Sequence, residues 1–342
     1  MPRTIRPGLR SRLKRLLVEP GAAKTNSGRK IIERAKRQGI EVLISEGIEI
    51  ENLSKQSLVL SAQRSSHVNK WEHPQPLPDR AENCISPVEG CPFDCCYCYL
   101  LNHLQEPVPQ ATVNHELICR EIEQRIEAGE KYFSLGELSD GLELEPLLHF
   151  LPTIWNLFQK NEQSRLEVRS KSINVGPVLK ELKPLDNVTF AWTLSPVSVA
   201  RRIELRTAST GQRIKALKRL LEAGFNCGLR LDPIILQADW ESEYQRLLEH
   251  IFSEISPVQL QFFILGCFRF PSGLDRQIEK RFPGRDFIRD EFVRGPDGKY
   301  RYPRFRRTAA YRKLLKLLPS ENLRIGLCME PEYIWNDLKI KK

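Results

Sequence analysis

Cys91-Pro92-Phe93-Asp94-Cys95-Cys96-Tyr97-Cys98, followed at once by Tyr99-Leu100-Leu101, sets three thiols in a Cys-x3-Cys-x2-Cys run on one tight loop. Three thiolates spaced this way can ligate three irons of a 4Fe–4S cluster, which leaves the fourth iron open to a small molecule. A structural zinc site wants four ligands, usually as two short pairs well separated in sequence, and no Cys-x2-Cys or His-x3-His partner follows here. Zinc and unligated buried thiols are the other readings of the run. Cys96 falls outside the spacing and reads as a passive thiol. Tyr97, just before the last Cys, suits a cluster shielded from water.

The rest of the composition bounds the setting. At 342 residues the chain is long enough for one large domain, or one large and one small. An apolar fraction of 41% and a charged fraction of 28% are those of an ordinary globular protein. No apolar run reaches the length of about 18 residues that a membrane span needs. The basic start (Arg3, Arg6, Arg10, Arg12, Lys14, Arg15) has no apolar core or small-residue cleavage site and is not a secretory signal. Nine Cys, an odd number and mostly clustered, point to metal chemistry in a reducing compartment, the cytoplasm by default. A net charge of +10 and a pI near 9.2 fit a polyanionic partner, nucleic acid above all, although a basic surface can also serve solubility alone.

On the amino-terminal side of the loop, residues 1–16 read as a basic mobile arm. Residues 17–80 read as a small α/β subdomain with a linker. It holds a helix from Arg29 to Arg37 that Gly39 ends, a strand Glu41-Val42-Leu43-Ile44, and a Pro-punctuated stretch from His67 to Arg80. On the carboxyl side, helices and strands alternate. Strands are expected at Lys131–Leu135, Leu166–Arg169, Val188–Leu194, Asn226–Leu231 and Val258–Leu265. Helices are expected at Val113–Ala128, Glu143–Gln159, Pro177–Leu182, Gln212–Ala223 and Trp240–Phe252. With a strand before the cysteine loop this makes about six βα units and a parallel sheet with helices outside. No Gly-x-Gly-x-x-Gly follows a strand, so the expected fold is α/β, an open, partial (β/α)6 barrel of the TIM type over residues 81–270.

Chemistry in such a fold sits at the carboxyl ends of the strands. Those ends carry the cysteine loop, Gly136-Glu137-Leu138-Ser139-Asp140, Arg169-Ser170-Lys171, Thr193-Leu194-Ser195, Arg230-Leu231-Asp232-Pro233 and Gly266-Cys267. Glu137 could pair with an ammonium, or be an exposed loop residue. Lys171 could bind a carboxylate or be a surface lysine, and Asp232 before Pro233 could only start a turn.

The cysteine spacing is similar to that of the radical S-adenosylmethionine superfamily. The wider pattern resembles the spore photoproduct lyase family: Val18-Glu19-Pro20 and Gly28, the loop with Tyr97 and Tyr99, the Ser139-Asp140 turn, Lys171, and Gly228 through Pro233, as far as Lys316. The resemblance implies that Cys91, Cys95 and Cys98 hold a 4Fe–4S cluster whose open iron chelates S-adenosylmethionine. It implies that Tyr97, Lys171 and Thr193 contact that cofactor, with Asp232 near the adenosine, Gly136 and Glu137 at the methionine ammonium, and Ser139 beside them. The chemistry implied is reductive cleavage to a 5′-deoxyadenosyl radical that takes hydrogen from the substrate. One departure stands out. In the family a Cys two residues before the Ser-Asp turn returns a hydrogen atom to the product radical, and here that position is Glu137. A carboxyl O–H bond is too strong to donate a hydrogen atom, so Cys96, Cys267 or a tyrosine such as Tyr99 takes over, or a different radical reaction is performed.

Residues 271–342 read as a basic extension. Between Gly298 and Ser320 stand eight Lys or Arg and no acid, interleaved with Tyr300, Tyr302, Phe305 and Tyr311. Guanidinium groups for phosphates and aromatic faces for stacking are what a nucleic-acid groove needs. The expected contacts are Lys299, Arg301, Arg304, Arg306 and Arg307, with DNA the favoured polymer; a solvated helix from Arg307 to Lys316 is the alternative. Cys119, Cys227 and Cys328 read as buried apolar thiols. The expectation is an enzyme of radical chemistry on nucleic acid, supplied with electrons by a flavodoxin or ferredoxin. Radical modification of RNA or a peptide, and a non-catalytic iron–sulfur or zinc protein that binds nucleic acid, are the alternatives.

Overall fold

The computed structural model describes residues 12–62, 66–70, 83–104, 108–319 and 323–340. Eight strands form the main sheet: β1 (Val68–Lys70), β2 (Asn83–Ile85), β3 (Tyr132–Leu135), β4 (Arg165–Ser170), β5 (Val188–Thr193), β6 (Asn226–Ile234), β7 (Leu260–Cys267) and β8 (Ile325–Leu327). Their order across the sheet is their order in the chain. β2 to β8 are parallel, and β1 runs antiparallel at the β2 edge. The fold is mixed α/β and singly wound, as the alternating pattern predicts. β8 falls where Leu323 to Cys328 reads as a strand and joins the sheet as a further parallel member, and β1 turns the start of the expected linker into an edge strand. Residues 71–80 of that linker lie outside the described residues.

Helices cross between the parallel strands, and local sequence explains where they start and stop. His115–Glu127 leads into β3, and Gly176–Glu181 into β5. Thr210–Glu222 opens on a capping box in which Ser209 and Gln212 exchange hydrogen bonds, then leads into β6. Trp240–Glu254 leads into β7. The helix expected over Glu143–Gln159 is two helices, Glu145–Leu148 and Leu151–Lys160, because His149 takes the left-handed conformation (φ 55°) between them.

Side chains alternate along each strand and sort into two faces. Val168, Phe190, Trp192, Leu229, Leu231 and Phe263 are buried in the apolar core shared with the helices. Glu167, Arg169, Arg230 and Asp232 occupy the alternate positions and face the other side, beside a separate cluster of Ala191, Phe262, Ile264 and Cys328. A burial pattern this polar on one face marks that face as the functional one.

A second sheet runs Glu41–Ile44, Arg15–Val18, Ser57–Ser61, Gln110–Thr112 and Val88–Glu89. Thr25 caps the Asn26–Arg37 helix through its hydroxyl, and Ile31, Ile32 and Ala35 are buried as the periodicity predicts. The end of the expected mobile arm is a correction. Arg15 and Leu16 lie in a central strand, Leu13 is buried, and the guanidinium of Arg12 donates to Glu143 at 2.8 Å. Basic residues signal mobility only when no buried carboxylate awaits them. Residues 1–11 lie outside the described residues. Trp335, 2% exposed in the helix Glu332–Leu338, packs the tail down. Among the described residues no helix is long and apolar enough to cross a membrane.

Candidate active site

The cysteine loop leaves β2 and is held by main-chain bonds. Asp94 and Cys95 pair with Leu205 and Glu204 as a short antiparallel ladder, and the Cys96 N–H donates to the Ile203 carbonyl at 2.8 Å. The Cys98 N–H donates to the Cys95 carbonyl at 3.1 Å, which turns the chain into the helix Leu100–His103. The result faces Cys91, Cys95 and Cys98 into one pocket of about 440 Å³, a volume suited to a small-molecule cofactor. Cys96 is fully buried and is not among the pocket residues, in keeping with a passive thiol.

Burial pushes the Cys95 thiol up to about 12 and the Cys91 thiol well above its ordinary range. Buried thiols with that environment are inert unless a metal's positive charge deprotonates them. Among the described residues no three Cys, His, Asp or Glu side chains converge as a single metal ion requires. Three thiols that line one pocket, each able to bind a different iron, fit a cluster with one iron left open.

The carboxyl ends of the strands complete the pocket. After β3, Gly136 adopts φ 108°, and a β-carbon there would lie 2.5 Å from the Arg169 carbonyl oxygen, so only glycine lets the ends of β3 and β4 approach. Glu137 follows, with its carboxylate paired to Arg169 and its carbonyl accepting from the Tyr99 hydroxyl at 2.6 Å. The hydroxyl of Ser139 lines the pocket and has no hydrogen-bond partner among the described residues. Asp140 ties the β3 loop to β4: it accepts from Ser170 Oγ at 2.8 Å and from the Lys171 N–H at 2.7 Å.

Lys171 then reaches inward, its Nζ 5.7 Å from the centre of the Tyr97 ring. The Tyr97 hydroxyl donates to Glu204, which also accepts from Ser195 Oγ at 3.0 Å and pairs with Arg213 at 2.6 Å. Burial alone would lower Lys171, but the nearby Cys95 and Glu204 raise it, so it stays cationic. Burial would likewise push Glu204 up, and Arg213 and Lys171 hold it down. Thr193, 7% exposed, lines the pocket at the end of β5.

On the far wall Asp232 pairs with Arg269 at 2.9 Å, which outweighs burial and holds its carboxyl below the ordinary range. A β-carbon at Gly266 would lie 2.6 Å from Asp232 Oδ1, so glycine there leaves room for that carboxylate against β7. Cys267 is the next residue and points the other way. It is 1% exposed, its N–H donates to the Tyr311 hydroxyl at 2.7 Å, and it does not line the pocket. The expectation of a catalytic Cys267 is thereby corrected: strand alternation sends it to the helix layer. Cys328, beyond β8, lines the pocket instead, with Arg269 donating to its sulfur at 3.0 Å.

The basic extension also departs from expectation. Arg301 is 3% exposed and pairs with Asp297 at 2.6 Å, and Arg307 is 1% exposed and pairs with Glu330 at 3.1 Å. Neither can touch a phosphate. The solvent-facing Arg304 is paired with Asp337, and the half-buried Arg306 with Asp290. Lys299 alone of the five lines the pocket. Residues that sequence reasoning missed are Glu204, Arg269 and Cys328, together with the roles of Arg169 and Arg230. Charged residues two apart in strands, Glu167 with Arg169 and Arg230 with Asp232, were the available signal of a polar inner face.

The spore photoproduct lyase family profile matches residues 13–316. A spore photoproduct lyase of Clostridium acetobutylicum is 25% identical over 296 residues, covering 82% of this chain and 86% of that protein. Among solved structures, a spore photoproduct lyase complexed with dinucleoside spore photoproduct superposes with a TM-score of 0.78 at 22% identity, covering 92% of this chain and 98% of the other. A doubly substituted spore photoproduct lyase with bound AdoMet and dinucleoside spore photoproduct superposes with a TM-score of 0.77 at 21% identity, with the same coverage. At these identities the structural likeness is one of fold.

Proposed function

Because the chain belongs to the spore photoproduct lyase family, we propose that it is a radical S-adenosylmethionine enzyme acting on nucleic acid, with photodamaged DNA the favoured substrate. The observation that carries this reading is the gathering of Cys91, Cys95 and Cys98 with Tyr97, Glu137, Lys171, Thr193 and Asp232 around one pocket, at the strand ends where an α/β sheet binds its ligands. The sheet acts as the expected partial (β/α)6 barrel, with the N-terminal sheet as a subdomain and the basic extension closing one wall.

Cys91, Cys95 and Cys98 hold the 4Fe–4S cluster. When bound, the cluster and S-adenosylmethionine supply an electron and a carbon-centred radical able to take a hydrogen atom. Lys171, kept cationic by Glu204, attracts the cofactor's carboxylate, while Tyr97 is fixed through its hydroxyl at one rim. Gly136 allows close backbone approach, and the unpartnered Ser139 hydroxyl offers a hydrogen bond. The Glu137 carboxylate meets the methionine ammonium in competition with Arg169. Asp232, fixed by Arg269, stands where the adenosine is expected.

Lys171, Lys299, Arg169, Arg230 and Arg269 outnumber the pocket carboxylates Glu137, Asp140 and Asp232, which supports an anionic substrate such as a phosphodiester-linked lesion. A lesion must leave the base stack to enter, and damaged bases leave most cheaply. Hydrogen return falls to Tyr99, next to the cluster thiols in the chain, or to Cys328 on the far wall, both of which line the pocket. The electron source fits a cytoplasmic flavodoxin or ferredoxin.

The test is anaerobic reconstitution, followed by 5′-deoxyadenosine formation with S-adenosylmethionine and a strong reductant, with and without irradiated DNA. Product stimulated by irradiated DNA, with thymine restored, is the expected result. A full cluster that yields no product sinks the enzyme reading. Product without stimulation by DNA moves the substrate to RNA or a peptide.

A further inference from the structure

Cations grip the cysteine loop from behind, outside the pocket. Lys55, just before the Ser57–Ser61 strand, is 9% exposed. Its ammonium donates to the Phe93 carbonyl at 2.8 Å and lies 3.2 Å from Asp94. Arg206 donates from Nε to the Pro92 carbonyl at 3.0 Å and from Nη2 to the carbonyls of Arg12 and Lys55. Neither lines the pocket. Arg206 also holds a left-handed backbone (φ 64°), which costs about 1 kcal/mol for a residue with a β-carbon and persists where surrounding contacts over-determine it. That turn follows the ladder that pins Asp94 and Cys95, and it aims the guanidinium at the loop.

Two features separate this clamp from ordinary packing. Asp94 is shared between Lys55 and Arg281, the latter at 3.0 Å, so one carboxylate answers two cations. The hydrogen-bond partners of Arg206 are carbonyls, not carboxylates. The back of the loop therefore carries a surplus of fixed positive charge in a setting of low polarity, where charge acts over several ångströms. A cluster bound by three thiolates is negative, and each added electron is resisted by that charge unless nearby cations offset it.

We infer that Lys55 and Arg206 are positioning residues that hold the Cys91–Cys98 loop in shape and raise the reduction potential of the cluster it carries. The inference rests on the function proposed above. It concerns permanent charge behind the ligands and assigns neither residue a contact with substrate.

The test is a redox titration of the reconstituted full-length chain, followed by electron paramagnetic resonance, with iron content and melting point measured on the same samples. Lys55→Gln and Arg206→Gln are expected to disfavour electron uptake about tenfold, a fall of about 59 mV for one electron. Lys55→Arg and Arg206→Lys keep the charge and are expected to titrate with the parent. Asp94→Asn removes the compensating negative charge and is expected to move the potential upward, which keeps the idea testable even where a Gln variant fails to load iron. Fully loaded Gln variants that titrate with the parent, or an Asp94→Asn variant that does not rise, overturn this inference alone. A parent that assembles no cluster overturns it together with the function it rests on.

Discussion

Arg230 grips Glu167 with two prongs on the polar face of the main sheet, Nε to Oε1 at 2.7 Å and Nη2 to Oε2 at 2.9 Å. The same carboxylate lies 3.0 Å from Arg169, which in turn meets Glu137 in the pocket. Alternating charges thus run from inside the sheet to the candidate site. Both members of the central pair are buried, Arg230 at 5% and Glu167 at 7% exposed. Removing one partner of a buried pair strands the other charge and costs about 3–5 kcal/mol, so Glu167→Ala is expected to lower stability by that amount in urea unfolding. Replacing both, as Glu167→Leu with Arg230→Met, should recover most of the loss.

The buried Arg307 makes a contrasting case for the basic extension. It pairs with Glu330, which also accepts from the Tyr311 hydroxyl at 2.7 Å, and together they brace the segment that carries Cys328 and Met329. Arg307→Ala is expected to destabilise the fold by about 3 kcal/mol without a selective effect on nucleic-acid binding. Lys299→Ala should leave stability nearly unchanged and weaken binding to irradiated DNA, with the salt dependence reduced by about one unit of slope. Filter binding at several salt concentrations distinguishes the two. An Arg307 variant that folds as well as the parent but loses salt-dependent binding would restore the original expectation.

These two regions show where the sequence is readable. The cysteine spacing and the strand–helix alternation are local, and Ser209 with Gln212 or Thr25 with Gly28 fix helix starts within a few residues. Which side of a strand faces the pocket is not local. Gly266 and Cys267 are adjacent, and only the placement of the helix Arg304–Leu317 against β7 decides that the glycine faces the pocket and the thiol the helix. Arg12 looks like one more residue of a basic tail until Glu143, 131 positions away, is placed beside it. Runs of Arg cannot be sorted into surface and interior until their carboxylates are located.

The two thiols therefore separate cleanly. Cys328→Ala is expected to leave 5′-deoxyadenosine formation within about twofold of the parent and to lower completed product about tenfold. Cys267→Ala should alter neither ratio and cost only the stability of a small cavity, about 1 kcal/mol. Chromatography of both products from one reaction gives the comparison. Equal product ratios in the two variants would leave Tyr99 as the donor.

A pH effect is expected away from the site. His115 is 5% exposed, edge-on to Phe150 with ring centres 5.1 Å apart, and burial, aided by Arg34, lowers it to about 4. Unfolded, it titrates near 6.5, so the unfolded chain binds more protons between those values and stability falls as pH drops from about 6.5 towards 4. The linkage amounts to roughly 3 kcal/mol at the lower end and is absent above 6.5. His115→Leu is expected to flatten this part of the curve, seen as a smaller difference between urea midpoints at neutral pH and at about pH 4.5. A slope identical to the parent would mean that the imidazole gains solvent on protonation.

The last prediction returns a thiol to the position where the family carries one. Glu137 follows Gly136 at the pocket edge, its carbonyl tied to Tyr99 and its carboxylate to Arg169. In Glu137→Cys the carbonyl tie survives, because it is made by the main chain. Arg169 keeps Glu167 as a partner at 3.0 Å, so the stability loss should stay near 1–2 kcal/mol. An S–H bond is weak enough to give a hydrogen atom to a carbon radical, whereas the carboxyl it replaces is not. With dinucleoside spore photoproduct as substrate, the expected outcome is more thymine product per 5′-deoxyadenosine, and recovery of product when Glu137→Cys is combined with Cys328→Ala. If the combined variant makes deoxyadenosine but no more product than Cys328→Ala alone, the substrate radical does not form beside residue 137, and a substrate held differently from the photoproduct becomes the better reading of this site.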